Sequence, residues 1–313
     1  MTLINDDNGG RPLHAPTVEA LLTADGRTLA RAELTYGEVP YFATVQLPLE
    51  LQVPAQLPGP CTAARLVLNV WEQGRLRSRN DYDLLLAQES WAAPDPQPEA
   101  VWYLPDDAAA LRLLQAHRMP AAPCADPASP AAAGRRLLAA RPLTEAEAAA
   151  VRRFVQAGGR AVLVNQRDLP AALTGGKTIR YTEDATEIVT MNVPESPVFA
   201  GIGEQDLAWF DNGRSVPYAA YGRYGMDRMD AELCALAETL QWHNYIAKPT
   251  DYARLGGTPL FTLRAGRGAM LISSMRTDAD DRDPVACRLT HNILAWAGDT
   301  DAPAPLQNRH GAV

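Results

Sequence analysis

The sequence predicts a β-sandwich followed by a doubly wound α/β domain with a mostly parallel sheet. Three observations predict it. Residues 1–92 hold short strand-like segments separated by turn signals. A proline-rich stretch, residues 93–99, contains Pro94, Pro96 and Pro98, which cannot pair in a sheet and favour an extended linker. From Gly134 to Gln166 the pattern reads strand, helix, strand, the unit from which parallel sheets are built.

Each element has a chemical cause. Thr17–Thr23 leads into Ala24-Asp25-Gly26, a hairpin signal, and strand character resumes over Thr28–Thr35. Tyr41, Phe42, Val45, Leu47 and Leu49 predict a strand over Val39–Leu51, and Pro54, Pro58 and Pro60 then interrupt. Arg65–Trp71 and Asp81–Ala87 are expected strands joined by the turn Glu72-Gln73-Gly74. Beyond the linker, residues 100–300 are expected to form the α/β domain and residues 301–313 a frayed tail. Val101–Leu104 is a first strand, and a helix follows from about Asp107 to His117, stopped by Pro120. Residues 121–133 read as a loop around a weak strand. In the central unit, Leu137 and Leu138 open a buried strand, Thr144 and Glu147 form a capping box, and Ala148, Val151, Phe154 and Val155 share one helical face. Gly158 and Gly159 end the helix, and Ala161–Val164 is the next buried strand. Thr186–Val193, Leu260–Leu263 and Ala269–Ser273 read as further strands. A closing helix from about Asp283 to Ala297 turns Val285, Leu289, Ile293 and Leu294 inward.

Composition limits the function. Lys and Arg number 29 against 37 Asp and Glu, for a net charge of -8, so no basic surplus exists to neutralise a nucleic acid. No apolar run approaches the ~20 residues of a membrane helix. Met1–Asp7 lacks a basic region and an apolar core, so no signal peptide is expected; the chain reads as cytoplasmic as it stands, or periplasmic or secreted within a longer protein.

Ile4-Asn5-Asp6-Asp7, Ala24-Asp25-Gly26 and Ser78-Arg79-Asn80-Asp81-Tyr82 give the first domain its family likeness. It resembles the immunoglobulin-like domain that follows the catalytic barrel in family 2 (β-galactosidase-like) glycoside hydrolases. Leu143-Thr144, Phe154-Val155, Gly158-Gly159, Ser196-Pro197-Val198-Phe199, Gly266-Arg267-Gly268 and the terminal Asp283–Leu294 segment carry a second likeness. That domain resembles the class I glutamine amidotransferase-like fold, with flavodoxin-like layering, used as an accessory module in several glycosidases. The resemblance implies a non-catalytic accessory region that packs on a catalytic glycosidase domain or self-associates. A (β/α)8 barrel of ~250 residues has no room beside these two domains. A stand-alone carbohydrate-binding module is the alternative, and an amidase or amidotransferase a third reading.

The candidate chemistry is sparse. A working amidotransferase of this fold needs a Cys on a glycine-flanked strand-to-helix elbow, but no Gly-x-Cys-x-Gly occurs. Cys124 falls in a proline-rich loop, Cys234 in an alanine-rich segment expected to be helical, and Cys287 in the last helix. His243 is followed by Asn244 and Tyr245 rather than a spaced carboxylate, and His291 is expected to be a partly exposed helix residue. Asp206, Asp211, Asp227 and Asp230 show no pairing of the kind glycoside hydrolysis needs. The acidic run Asp278–Asp283 precedes a helix, where carboxylates favour the helix dipole without a metal. Gly201-Ile202-Gly203 and Gly266-Arg267-Gly268 read as turns rather than dinucleotide loops. Accordingly, no catalytic, cofactor or metal residue is assigned. What remains is a ligand crevice beyond the strand ends: Asp106, Asn165 and Gln166, with Trp209, Trp242 and His243 as neighbours suited to a sugar. Core packing of these aromatics is the competing explanation.

Overall fold

Two compact units, Met1–Trp91 and Ala92–Val313, divide the chain. The computed structural model describes residues 1–95, 98–127, 134–186, 189–207, 219–227, 229–239, 257–277 and 283–296.

In the first unit the strands are β1 (Thr2–Ile4), β2 (Leu13–His14), β3 (Thr17–Ala24), β4 (Arg27–Thr35), β5 (Glu38–Val39), β6 (Thr44–Gln46), β7 (Cys61–Glu72) and β8 (Arg75–Ala87). An antiparallel sheet of order β4-β3-β7-β8 dominates. Asp25 and Gly26, at φ of 49° and 72°, supply the left-handed pair that a tight β3–β4 hairpin demands. Alternation decides which face is buried: Val18, Ala20, Leu22 and Ala24 point one way and are at most 5% exposed. Against Val18 and Val70 pack Leu3, Leu13, Val39 and Leu47 from the ribbons β1–β6 and β2–β5 and the chain just after β6. The expected strand over Val39–Leu51 is therefore corrected to two short ones. Phe42 turns to a φ of 63° and stands 76% exposed, and the chain from Leu47 to Pro60 is not strand. Pro40, Pro48 and Pro54 remove the N–H groups that a continuous strand would need.

The short helix α1 (Glu89–Ala92) leads to the second unit. Its elements are β9 (Val101–Tyr103), α2 (Ala108–Ala116), β10 (Ala121–Pro123), β11 (Arg136–Ala139), α3 (Glu145–Gln156), β12 (Arg160–Val164), α4 (Ala171–Thr174), β13 (Arg180–Thr186), β14 (Val189–Met191), β15 (Ala220–Gly225), β16 (Leu233–Thr239), β17 (Leu260–Ala265), β18 (Gly268–Ser273) and α5 (Pro284–Ala295). An eight-stranded sheet runs in the order β10-β9-β11-β12-β18-β17-β16-β14. From β10 to β18 neighbours are parallel, and from β18 to β14 antiparallel. The sheet is thus mixed: six of its eight strands run one way, and β17 and β14 run against them. The tight turn at Gly266-Arg267 joins β17 to β18, a link too short for the crossover that parallel pairing requires.

The βαβ unit forms as its residues dictate. The Thr144 hydroxyl accepts from Glu147 N at 3.3 Å, and the Glu147 carboxylate accepts from Thr144 N at 2.9 Å, closing the capping box. Ala148, Val151, Phe154 and Val155 of α3 join Leu137, Ala139, Ala161, Leu163, Met270 and Ile272 in one core. The opposite face of the same strands, Leu138, Val162, Val164 and Leu271, is also at most 2% exposed. Gly268 lets β18 reach this helix: a Cβ there would collide with the carbonyl oxygens of Val155 and Gly159.

Strands β13, β15 and β16 are not anticipated by the sequence reading. Cys234 is the correction that matters for chemistry, because it lies on β16 and not in a helix. Pairing with β17 overrides the helix propensity of Leu-Cys-Ala-Leu-Ala-Glu, with a bulge between Ala235 and Ala237.

Candidate binding rim at the carboxyl ends of the parallel strands

The turns after β9, β11, β12 and β18 lie at the carboxyl ends of adjacent parallel strands. After β9 the chain enters Asp106 at a φ of 63°, with its side chain exposed. The next residue, Asp107, is 1% exposed. Its Oδ1 accepts from Ala110 N at 2.9 Å, capping α2, and its Oδ2 accepts from Ala140 N at 2.8 Å at the end of β11. Both oxygens of that carboxylate are therefore spent on positioning.

Arg141, past β11, is the residue that sequence reasoning missed. Its Nη2 donates to Pro105 O at 3.3 Å and to Glu147 Oε1 at 2.5 Å, and its Nη1 donates to Glu147 Oε2 at 3.1 Å. The Arg141 guanidinium, together with the Thr144 donors and despite partial burial, holds the Glu147 carboxyl down at about 2. Such a group stays ionised near neutrality and is unsuited to proton donation. Arg141 also ties the rim together, because its carbonyl accepts from Gln166 Nε2 at 2.7 Å. A basic residue just before a capping box was the only signal available.

At the end of β12, Asn165 takes a φ of 58°, and its Nδ2 donates to Thr277 Oγ1 at 3.2 Å. Gln166 is 1% exposed, and its carbonyl accepts from the Tyr224 hydroxyl at 2.5 Å. Asn165 Oδ1 and Gln166 Oε1 are buried acceptors with no donor among the described residues. The structure thus places Asn165 and Gln166 together, and Arg141 links them to the loop of Asp106. Gln166 faces inward. Trp209, Trp242 and His243 lie outside the described residues.

The other candidates resolve as follows. Cys124 is 3% exposed, directly after β10, and burial pushes its thiol up. Burial likewise raises Cys234 on β16. Cys287 sits on α5. Among the described residues, none of the three stands on a turn from a parallel strand into a helix. His291 is corrected from partly exposed to 4% exposed, with its ring 5.8 Å from that of His117. The reason is that the α5 stripe from Val285 to Leu294 is wider than the four aliphatic positions show, since Thr290, His291 and Asn292 are buried as well. Asp206 accepts from Gly203 N at 2.7 Å, and Asp227 accepts from Met229 N at 2.9 Å, each closing its own turn. Asp230 pairs with Lys177 at 2.5 Å. Asp211 and residues 278–282 lie outside the described residues; Asp283 caps α5 through Val285 N and Ala286 N. Among the described residues, no group of three or more His, Cys, Asp or Glu is placed to hold a metal ion, and no helix is long and apolar enough to cross a membrane.

No protein-family model matches this chain, and no curated protein matches it. Among solved structures, the β-galactosidase from Rahnella sp. R3 is similar over 63% of this chain and 31% of its own, at 17% identity and a TM-score of 0.39. A ThuA-like protein from Bacteroides uniformis is similar over 66% of this chain and 93% of its own, at 14% identity and a TM-score of 0.38. The β-galactosidase from Bacillus circulans matches over 55% of this chain and 23% of its own, at 15% identity and a TM-score of 0.31. The chain therefore spans less than a third of either β-galactosidase, and each likeness is distant and covers part of the chain.

Proposed function

We propose that this chain is a non-catalytic accessory region of a family 2-type glycoside hydrolase, which packs on or oligomerises the catalytic part. The observation that carries this reading is the use of polar groups at the strand-end rim. Asp107 accepts from two backbone donors, and Glu147 accepts from Thr144 N and from Arg141, so both serve to position loops. Among the described residues, the rim supplies no paired carboxylates of the kind glycoside hydrolysis uses. The motifs resembling family 2 accessory domains supply the rest of the reading. Incubating the chain with aryl β-glycosides tests it: no turnover is expected. Hydrolysis abolished by Asp106→Asn overturns it.

A carbohydrate-binding role is the second reading, favoured by the donor-poor oxygens of Asn165 and Gln166. Hydroxyl donors of a sugar complement such acceptors once the loops part. Calorimetric titration with galacto- and manno-oligosaccharides separates the two, since a scaffold shows no saturable heat. The amidotransferase reading is tested by alkylating the thiols and following glutaminase activity; with burial keeping Cys124 and Cys234 protonated, no activity is expected before or after.

A further inference from the structure

The loop between β1 and β2 is held at both ends and exposed at its tip. Asn5 is 2% exposed, and its Nδ2 donates to Arg11 O at 2.9 Å and to Val39 O at 3.0 Å. The Asp7 carboxylate accepts from Gly9 N at 2.9 Å and from Arg11 N at 3.3 Å. Gly10 N donates to Asp7 O at 2.8 Å, closing a turn with Asn8 and Gly9 at its centre. Asn8 is exposed, and its carboxamide makes no hydrogen bond among the described residues. We propose that Asn8 is a modification site, at which the chain converts its own asparagine to aspartate or isoaspartate with water as the only co-reactant.

The chemistry is intramolecular. The backbone nitrogen of Gly9 attacks Cγ of Asn8, and a five-membered succinimide closes as the Cγ–Nδ2 bond breaks. The proton of the attacking nitrogen passes to solvent base, and the leaving nitrogen takes up a proton and departs as ammonia. Water then adds to one of the two ring carbonyls. Cleavage of the bond from Cγ to the Gly9 nitrogen gives aspartate. Cleavage of the bond from the Asn8 carbonyl carbon to that nitrogen gives isoaspartate, whose main chain runs through Cγ. No electrons are exchanged, and the sum is asparagine plus water to an acid plus ammonia.

Two features select Asn8. The attack needs Cγ to reach the next backbone nitrogen, which a side chain on the following residue obstructs; glycine has none and the widest range of backbone angles. The turn itself requires glycine there, because a Cβ on Gly9 would lie 2.9 Å from Asp7 Oδ2 and 3.0 Å from Arg11 Nε. The Gly9 nitrogen now donates to Asp7, but that bond faces water, which replaces it at little cost. The other asparagines among the described residues, Asn5, Asn69, Asn80, Asn165, Asn192 and Asn292, all precede residues with side chains. Asn5 is the sharpest contrast: Asp6 follows it, Nδ2 is bonded as above, and Oδ1 accepts from Asp7 N at 3.2 Å. Asn80 is exposed but is held in β8 opposite Leu68. The sequence's other Asn-Gly, Asn212-Gly213, lies outside the described residues. This inference goes beyond the accessory-region reading: it is read by mass, and that reading by turnover.

Ageing of the full chain at mildly alkaline pH, followed by tryptic peptide mass spectrometry, tests it. Trypsin releases Met1 to Arg27 as one peptide, since Pro12 protects Arg11, and that peptide holds both Asn5 and Asn8. The mass gain of an amide becoming an acid is expected at Asn8 and not at Asn5, with isoaspartate among the products. The conversion is expected to quicken as pH rises, because the attacking nitrogen must lose its proton. Asn8→Gln places the carboxamide one methylene farther out, and the gain in this peptide is expected to be lost. The free peptide of residues 1–27 sets the time scale. An Asn8 that keeps its amide in the folded chain after the free peptide has converted overturns the proposal. So does a gain that falls first on Asn5, or one that persists in the Asn8→Gln variant.

Discussion

Strand β12 and strand β8 are both flanked by short polar turns, yet β12 has Ala161, Val162, Leu163 and Val164 all at most 2% exposed, while β8 has ten consecutive exposed residues. The difference lies in coverage. β12 is central in the eight-stranded sheet, with α3 on one face and a second buried face behind it. β8 pairs on one side only. A strand buried on both faces has one acceptable chemistry, continuous and apolar. An edge strand is free to carry charge.

The largest test of this contrast is to cut the same side chain from each strand. Leu163→Ala is expected to destabilise by about 2–5 kcal/mol, since the site cannot collapse around the loss. Leu84→Ala is expected to change the stability of the chain by less than about 0.5 kcal/mol. Urea unfolding of both variants measures the difference, and equal costs would break the comparison.

Burial also gives the second unit an acid-sensitive element. Desolvation, helped by His117 and the nearby cations Arg288 and Arg118, lowers His291 from 6.5 to about 4. Between those values the unfolded chain binds a proton that the folded chain refuses, so stability falls as pH drops from about 6.5 to about 4. The loss amounts to up to about 3 kcal/mol. Replacing His291 with Asn is expected to remove that part of the slope in denaturation curves taken across the window.

A close approach of backbone sharpens the contrast at a smaller scale. Gly268→Ala forces β18 away from the end of α3 and is expected to cost about 1–3 kcal/mol, read as a lower midpoint in urea. The smallest effect belongs to the half-exposed cap. Thr144→Ala is expected to cost about 1 kcal/mol. Glu147 is held at about 2, below its usual 4.5, so its contribution is present above pH 4.5 and lost as pH falls toward 2. Glu147→Gln should flatten stability over that acid window and leave neutral pH little changed beyond the loss of the ion pair.

Local chemistry was legible wherever neighbours in sequence are neighbours in space. The capping box at Thr144, the hairpin at Asp25-Gly26, the apolar runs of β11 and β12 and the Asp283 cap of α5 follow from residues a few positions apart. Partnership at long range was not legible. Cys234 sits in a segment with helix-forming neighbours and became strand because β17 was there to pair with it. His291 is buried because α5 buries polar as well as aliphatic residues, and Arg141 became the tie across the rim because Gln166 and Pro105 are brought to it. By itself the sequence determined the turns, caps and faces of single elements, whose energies are local. The tertiary structure decided that β14 and β17 run against the other six strands of the large sheet, the inward aim of Gln166 and the open edge of β8, because strand pairing and solvent coverage depend on segments far apart in the chain.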